Sequence, residues 1–290
     1  MIDLTDEIYA SRLAILESLF SDQISAPEAA EQLASTTLAD DTPLEDALSR
    51  LWNLILALAA ASPTHHDKLV DVLVDISELP DETNPNPNPP STSSGPSQTD
   101  PESGSPLTLH DMRLWRDLPT LGWTFRDEWN FSITPNSSAE QRARAISRWV
   151  NVNRFAALLM ATEEPVFAPY SWFGLVTLRT ALETPVEEMG AHGRDALDAW
   201  VPAAAVWIEV LGVEIFEWEE EFPGGGGRGA PGRGGPLWSG KHGFCKGRWG
   251  LWRGRFGDLA RADLGVSEGV RKVAGDAEVM MSEIEAGDVE

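Results

Sequence analysis

Residues 114–130 read LWRDLPTLGWTFRDEWN. Trp115, Trp123 and Trp129 stand there with Phe125 among Arg116, Asp117, Arg126, Asp127 and Glu128. No other stretch combines so much aromatic area with so many charges. Aromatic side chains bury large areas and dominate cores, so the flanking helices are expected to dock here. Buried charges must pair, and Arg126 or Arg179 bridging to Asp127 or Glu128 is their expected structural use.

On the C-terminal side, Ser137-Ser-Ala-Glu140 reads as a capping box opening a helix to about Thr162. Residues 169–183 are apolar nearly all round and should be buried. Asp195–Glu221 carries an apolar stripe through Leu197, Val201, Ile208 and Leu211, and Pro202 predicts a kink there or a start one residue earlier. A flexible glycine-rich loop follows at 223–236. Then Cys245, Trp249, Trp252, Phe256 and Leu259 keep helical spacing. Gly247, Gly250, Gly254 and Gly257 interrupt that stripe, each weakening the helix by about 1 kcal/mol relative to alanine. A weak helix over 266–284 ends in an acidic tail.

On the N-terminal side, 109–118 reads as a short helix stopped by Pro119. Residues 80–106 hold Pro, Asn, Ser, Thr, Gly and acids with no aliphatic or aromatic side chain, the composition of a disordered insertion. Four helices are expected before it: 2–20, one capped by Ser25-Ala-Pro-Glu28, one capped by Thr42-Pro-Leu-Glu45 and running to Ala61, and one from Ser62-Pro63 to about Leu79. Period-two patterning is almost absent. The expected fold class is all-α, a single multi-helix domain of about eight to ten helices interrupted by the insertion. Residues 1–79 are expected to pack on a main body at 107–262, with 263–290 a weakly ordered acidic tail.

The net charge is −24, and such a surface is repelled by phosphate backbones and anionic lipid. Nucleic acid and membrane are therefore disfavoured as partners. A lone cysteine, Cys245, excludes an internal disulfide framework. The opening MIDLTDEIYA has no basic n-region, so no leader peptide is expected. The longest apolar runs fall short of a membrane span, because 51–61 contains Asn53 and 200–218 carries Glu209, Glu214 and Glu217. The expected location is cytoplasmic or nuclear. Charge is uneven: residues 1–110 hold 19 acids against Arg12, Arg50 and Lys68, whereas 222–261 hold eight bases against Asp258. Docking of the basic C-terminal segment on the acidic N-terminal half is expected from this.

LWRDLPTLGWTFRDEWN, WVNVNRFAALL (149–159), FGLVTLRTALE (173–183), LDAWVPAAAVWIEVLG (197–212) and GKHGFCKGRWGLWRGRF (240–256) together resemble a fungal family, domain of unknown function 3632. The resemblance covers roughly 8–262 outside the low-complexity segments. It implies a helical intracellular protein and supplies no catalytic residues. The glycine-rich loop and the glycines within 243–257 depart from the family pattern.

Candidate chemistry is sparse. His65, His66, His110, His192 and His242 show no ligand spacing, so no metal is expected. Cys245 has basic neighbours but lies on the apolar stripe, which fits an inert thiol. There is no GxSxG elbow and no phosphate loop, so neither a catalytic residue nor a cofactor is assigned. Two readings follow. The first is a non-enzymatic helical protein acting through contacts with an unidentified protein partner. The second is a small-molecule binder or enzyme whose pocket is walled by Trp123 and Trp129, with Arg126 or Arg179 as anion anchor and Asn151 and Asn153 as hydrogen-bonding groups.

Overall fold

Amphipathic spacing and capping set the first helices. In the computed structural model, which describes residues 7–83, 105–134, 137–185, 188–189, 193–220, 232–261 and 266–288, α1 spans Ala10–Phe20 after a 3-10 turn. α2 (Ala26–Leu38) opens on the predicted box: Ser25 Oγ accepts the Glu28 amide, and the Ser25 amide donates to Glu28 Oε2 at 2.8 Å. Such a cap contributes about 1 kcal/mol. The box expected at Thr42 is lost to a competitor. Thr42 donates its hydroxyl to Asp40 Oδ1 at 2.7 Å, and Glu45 lies 3.4 Å from His110 Nε2, so α3 (Leu44–Ala61) starts without it. α4 (His66–Glu78) follows a turn capped by Ser62.

The helix expected over 109–118 is replaced by a hairpin. β1 (Thr108–Leu109) pairs antiparallel with β2 (Met112–Arg113), and the two loop residues take positive φ, 53° at His110 and 63° at Asp111. That is the pattern of a two-residue hairpin turn, entered here without the glycine that usually announces it. Leu118 (φ 43°) and Thr120 (φ 69°) are also left-handed, and they bring the chain round into α5 (Leu121–Glu128). Of the expected insertion, 84–104 lies outside the described residues. Its stems meet, with Thr83 bridging Pro106 and the Leu107 amide bonded to Glu82 O at 2.6 Å.

The chain divides into two compact units, Met1–Ala57 with Asp67–Asp127, and Leu58–His66 with Glu128–Glu290. In the first, Leu48, Leu51, Trp52, Leu73, Trp115 and Phe125 are fully buried core residues, and Trp52 Nε1 donates to Pro119 O at 2.9 Å. Its buried charge is Arg12, whose Nη2 meets Asp40 Oδ2 at 2.9 Å. Asp40 also accepts the Thr42 amide and hydroxyl and Arg50 Nη1. The Thr42 hydrogen bond, followed by that from Arg12, holds the Asp40 carboxyl well below the usual carboxylate range. A carboxyl so depressed adds stability above its unfolded pKa of about 4, and that stability is lost as pH falls through the folded value. Denaturant unfolding should therefore show an acid-side loss for the native protein. The Asp40→Asn variant should start lower at neutral pH and respond less to acid. Parallel pH profiles for the two would remove Asp40 from the account.

The second unit is built on α8 (Gly193–Glu217), packed by α6 (Ala139–Ala161), α7 (Ser171–Leu182) and α10 (Glu268–Ala286). The cap of α6 is shifted one residue from expectation. Ser138 is extended at ψ 162° and pairs with Gln141, which leaves Ser137 outside the box. The departure from helical dihedrals in α8 falls at Leu211 rather than Pro202. Gly212 lies beside it, and a Cβ there would come within 2.6 Å of Ile284 Cδ1, so glycine at that position lets α10 approach closely. α10 occupies the stretch expected as a weakly ordered tail, and it buries Val270, Ala274, Ala277, Met281 and Ile284. Contrary to expectation, residues 196–217 are long and apolar enough, by length and composition, to cross a membrane. Their packing against three helices within the unit explains that apolarity.

α9 (Lys246–Arg261) keeps the predicted stripe: Trp249, Trp252, Phe256 and Leu259 are buried, and Cys245 is half-buried just before it. Among the described residues the ion-pair partners of its cations are Glu183, Glu217, Asp258, Glu278 and Glu285, all in the second unit.

Candidate functional site

Charge and burial separate the residues singled out for a ligand site. Trp123 and Arg126 belong to the first unit, and both are exposed. The Trp123 ring lies 4.8 Å from the His110 ring. Asp127 and Glu128 are exposed as well, so the expected buried bridge from Arg126 is absent; short exposed charges at the end of α5 remain in water.

Trp129 and Asn153 lie inside the second unit and share one hydrogen-bond chain. Asn153, fully buried, accepts Trp207 Nε1 and the Thr177 hydroxyl on Oδ1, each at 2.9 Å. Its Nδ2 donates to Trp149 O at 2.9 Å, and Trp129 Nε1 donates to Thr177 Oγ1 at 3.1 Å. The chain ties α6, α7 and α8 together, and every member already has a partner. Asn151 likewise gives its Nδ2 to Ala60 O at 3.0 Å. A buried amide satisfied in this way specifies a core.

Arg179 takes a different course. It is half-buried on α7, and its Nη1 donates to Arg233 O at 3.2 Å instead of to a carboxylate. Beside it stands a fully buried ion pair absent from the sequence reading, Glu183 with Arg248. Glu183 Oε1 accepts Arg248 Nε and Trp252 Nε1, and Oε2 accepts Arg248 Nη2 and the Gly235 amide. The remaining Arg248 N–H groups reach Gly232 O, Gly243 O and Arg233 O at 2.8, 2.7 and 3.2 Å. All five guanidinium N–H groups and both carboxylate oxygens are occupied. That completeness offsets the desolvation cost of burying two charges. The pair thereby fixes the 232–243 loop against the C-terminal end of α7.

The fixed loop and α7 enclose a cleft of about 910 Å³, bordered by Trp172, Arg179, Thr184, Arg233, Trp238 and His242 among others. No carboxylate lines it among the described residues. Burial first, then the charges of Arg248 and Arg233, push the Arg179 pKa down, with Glu183 opposing them. Three arginines, Arg179, Arg233 and Arg248, thus stand near one glutamate, Glu183.

A second concavity, of about 680 Å³, lies at the C-terminal ends of α6 and α8. Met160, Ala161, Ala168, Leu211 and Trp218 form an apolar floor. Glu163, Glu164, Glu214, Glu217, Glu219 and Glu220 stand around it. Glu217 pairs with Lys246 Nζ at 3.1 Å, and Glu219 accepts the Lys246 amide at 3.3 Å. Glu163, Glu164, Glu214, Glu219 and Glu220 have no ion-pair partner among the described residues. Glu163 holds φ 61° just past the end of α6, a position where glycine is the usual occupant.

A family model described as a protein of unknown function, DUF3632, matches residues 52–256. No curated protein and no solved structure matches the chain.

Proposed function

The chain belongs to the DUF3632 family, which brings no assigned chemistry, and we propose that it acts by binding another protein, holding a cationic, amphipathic segment in the glutamate-rimmed groove. The supporting observation is the groove itself: an apolar floor ringed by six carboxylates, five of them without an ion-pair partner among the described residues. An amphipathic helix can bury its apolar face on such a floor while its lysines or arginines reach the rim. Opposite charge speeds encounter and selects against acidic competitors. Glu163 supports the reading, since a left-handed non-glycine residue is a strained choice that here keeps a carboxylate on the rim.

The test is titration with a labelled Lys/Leu amphipathic peptide, with its Glu/Leu counterpart as control. The cationic peptide should bind with an affinity that falls as salt rises, and the acidic one should not bind. Glu163→Gln, Glu214→Gln and Glu220→Gln together should weaken binding about tenfold, because each exposed pair is worth only about 0.2–1 kcal/mol. Glu17→Gln, Glu31→Gln and Asp67→Asn remove the same charge from exposed positions in the first unit and should leave binding nearly unchanged. Equal weakening by both triple variants would reduce the effect to net charge and sink the groove as the site.

A further inference from the structure

We infer that the cleft beside Arg179 is a binding site for a small phosphate monoester carried on a flat ring, a ligand of about nucleoside-monophosphate size. The cleft has the cationic and aromatic groups such a ligand needs, and among the described residues neither of its arginines has an ion-pair partner.

Two guanidiniums, Arg179 and Arg233, border the space with no carboxylate among its described lining residues. Among the described residues Arg179 uses one N–H, toward Arg233 O, which leaves the rest of its fork for a ligand. A guanidinium fork matches the geometry of phosphate oxygens and binds them in pairs. The nearest acid, Glu183, already has four donors on its two oxygens, so it is closed to Arg179 as an ion-pair partner. An entering dianion would relieve the repulsion among Arg179, Arg233 and Arg248.

The aromatic walls are Trp172 and Trp238. Trp238 is held by its indole N–H, which donates to Lys241 O at 2.8 Å, and by close packing on Gly234. A Cβ at Gly234 would lie 2.5 Å from Trp238 Cδ1, so glycine there is what lets the ring sit against the loop. A ring fixed in this way offers a stacking face at little entropic cost. The volume of about 910 Å³ suits a small ligand with a ring and excludes a nucleic-acid strand in extent. The chain's net charge of −24 opposes polyanions in any case.

The experiment is calorimetric titration of the full chain with phenyl phosphate, adenosine monophosphate, inorganic phosphate and benzoate. Phenyl phosphate and adenosine monophosphate should bind. Inorganic phosphate, lacking the ring, and benzoate, lacking the dianion, should each bind at least about tenfold more weakly. Arg233→Gln, an exposed position whose loss leaves the buried pair intact, should weaken phenyl phosphate about tenfold, as should Arg179→Gln. Arg126→Gln removes an exposed cation from the other unit and should change nothing. If neither ester binds, or benzoate equals phenyl phosphate, or Arg126→Gln weakens binding as much as Arg233→Gln, the inference is overturned. Should Arg179→Gln fail to fold, Arg233→Gln decides alone. The peptide groove shares no residue with this cleft, so either site stands or fails without the other.

Discussion

Arg248→Ala should destabilise the second unit by about 3–5 kcal/mol, the cost of leaving a buried carboxylate without its cation. Glu183 and Arg248 are both wholly inaccessible, so water cannot replace the lost partner without opening the core. Removing both charges often restores stability when the ion pair is self-contained. Here it should not. A Glu183→Leu/Arg248→Met double variant would still strand the Gly235 amide, the Trp252 indole N–H and the carbonyl of Gly243. Denaturant unfolding with amide exchange over 171–182 and 232–261 gives the readout. Recovery of the double variant to the native value would show that the pair does not organise the loop.

Asn153→Leu should cost about 2–6 kcal/mol, since each of two stranded buried donors costs about 1–3 kcal/mol. The donors are Trp207 Nε1 and the Thr177 hydroxyl, which both end on Asn153 Oδ1. Leucine has nearly the shape of asparagine, so a cavity term is small and the loss reports the hydrogen bonds. Thr177 should then loosen its hold on Trp129, visible as faster exchange of the Trp129 indole N–H. A variant as stable as the native protein would mean that this core does not depend on its polar node.

The helical architecture was largely legible in the chain. Ser25-Ala-Pro-Glu28 forms the box it spells, and the Trp249–Trp252–Phe256–Leu259 stripe is buried despite three intervening glycines. The hairpin at 108–113 was hidden because His110 and Asp111 adopt positive φ without a glycine to announce it. Arg248 was hidden by its charge. It stands four residues before Trp252 and eleven before Leu259, on the same helical face, and that register was the available signal. What outweighed its desolvation was Glu183, 65 residues earlier, a contact that no local pattern encodes.

The aromatic stretch 114–130 proved to be two things. Trp115 and Phe125 serve the core of the first unit, and Trp129 joins the polar node of the second, while its charges stay exposed. Neither concavity was visible from it. Both are made by chain ends and loops brought together by packing, the groove by the ends of α6 and α8 and the cleft by a loop tied down through Arg248.

The central claim is that a cationic, amphipathic segment occupies the groove between the ends of α6 and α8. Its most direct test is a Lys/Leu peptide carrying a photo-crosslinker on its apolar face, irradiated with the full chain and mapped by mass spectrometry. The account predicts adducts confined to 160–171 and 211–220. Adducts spread over the acidic surface, or concentrated in the first unit, would contradict it.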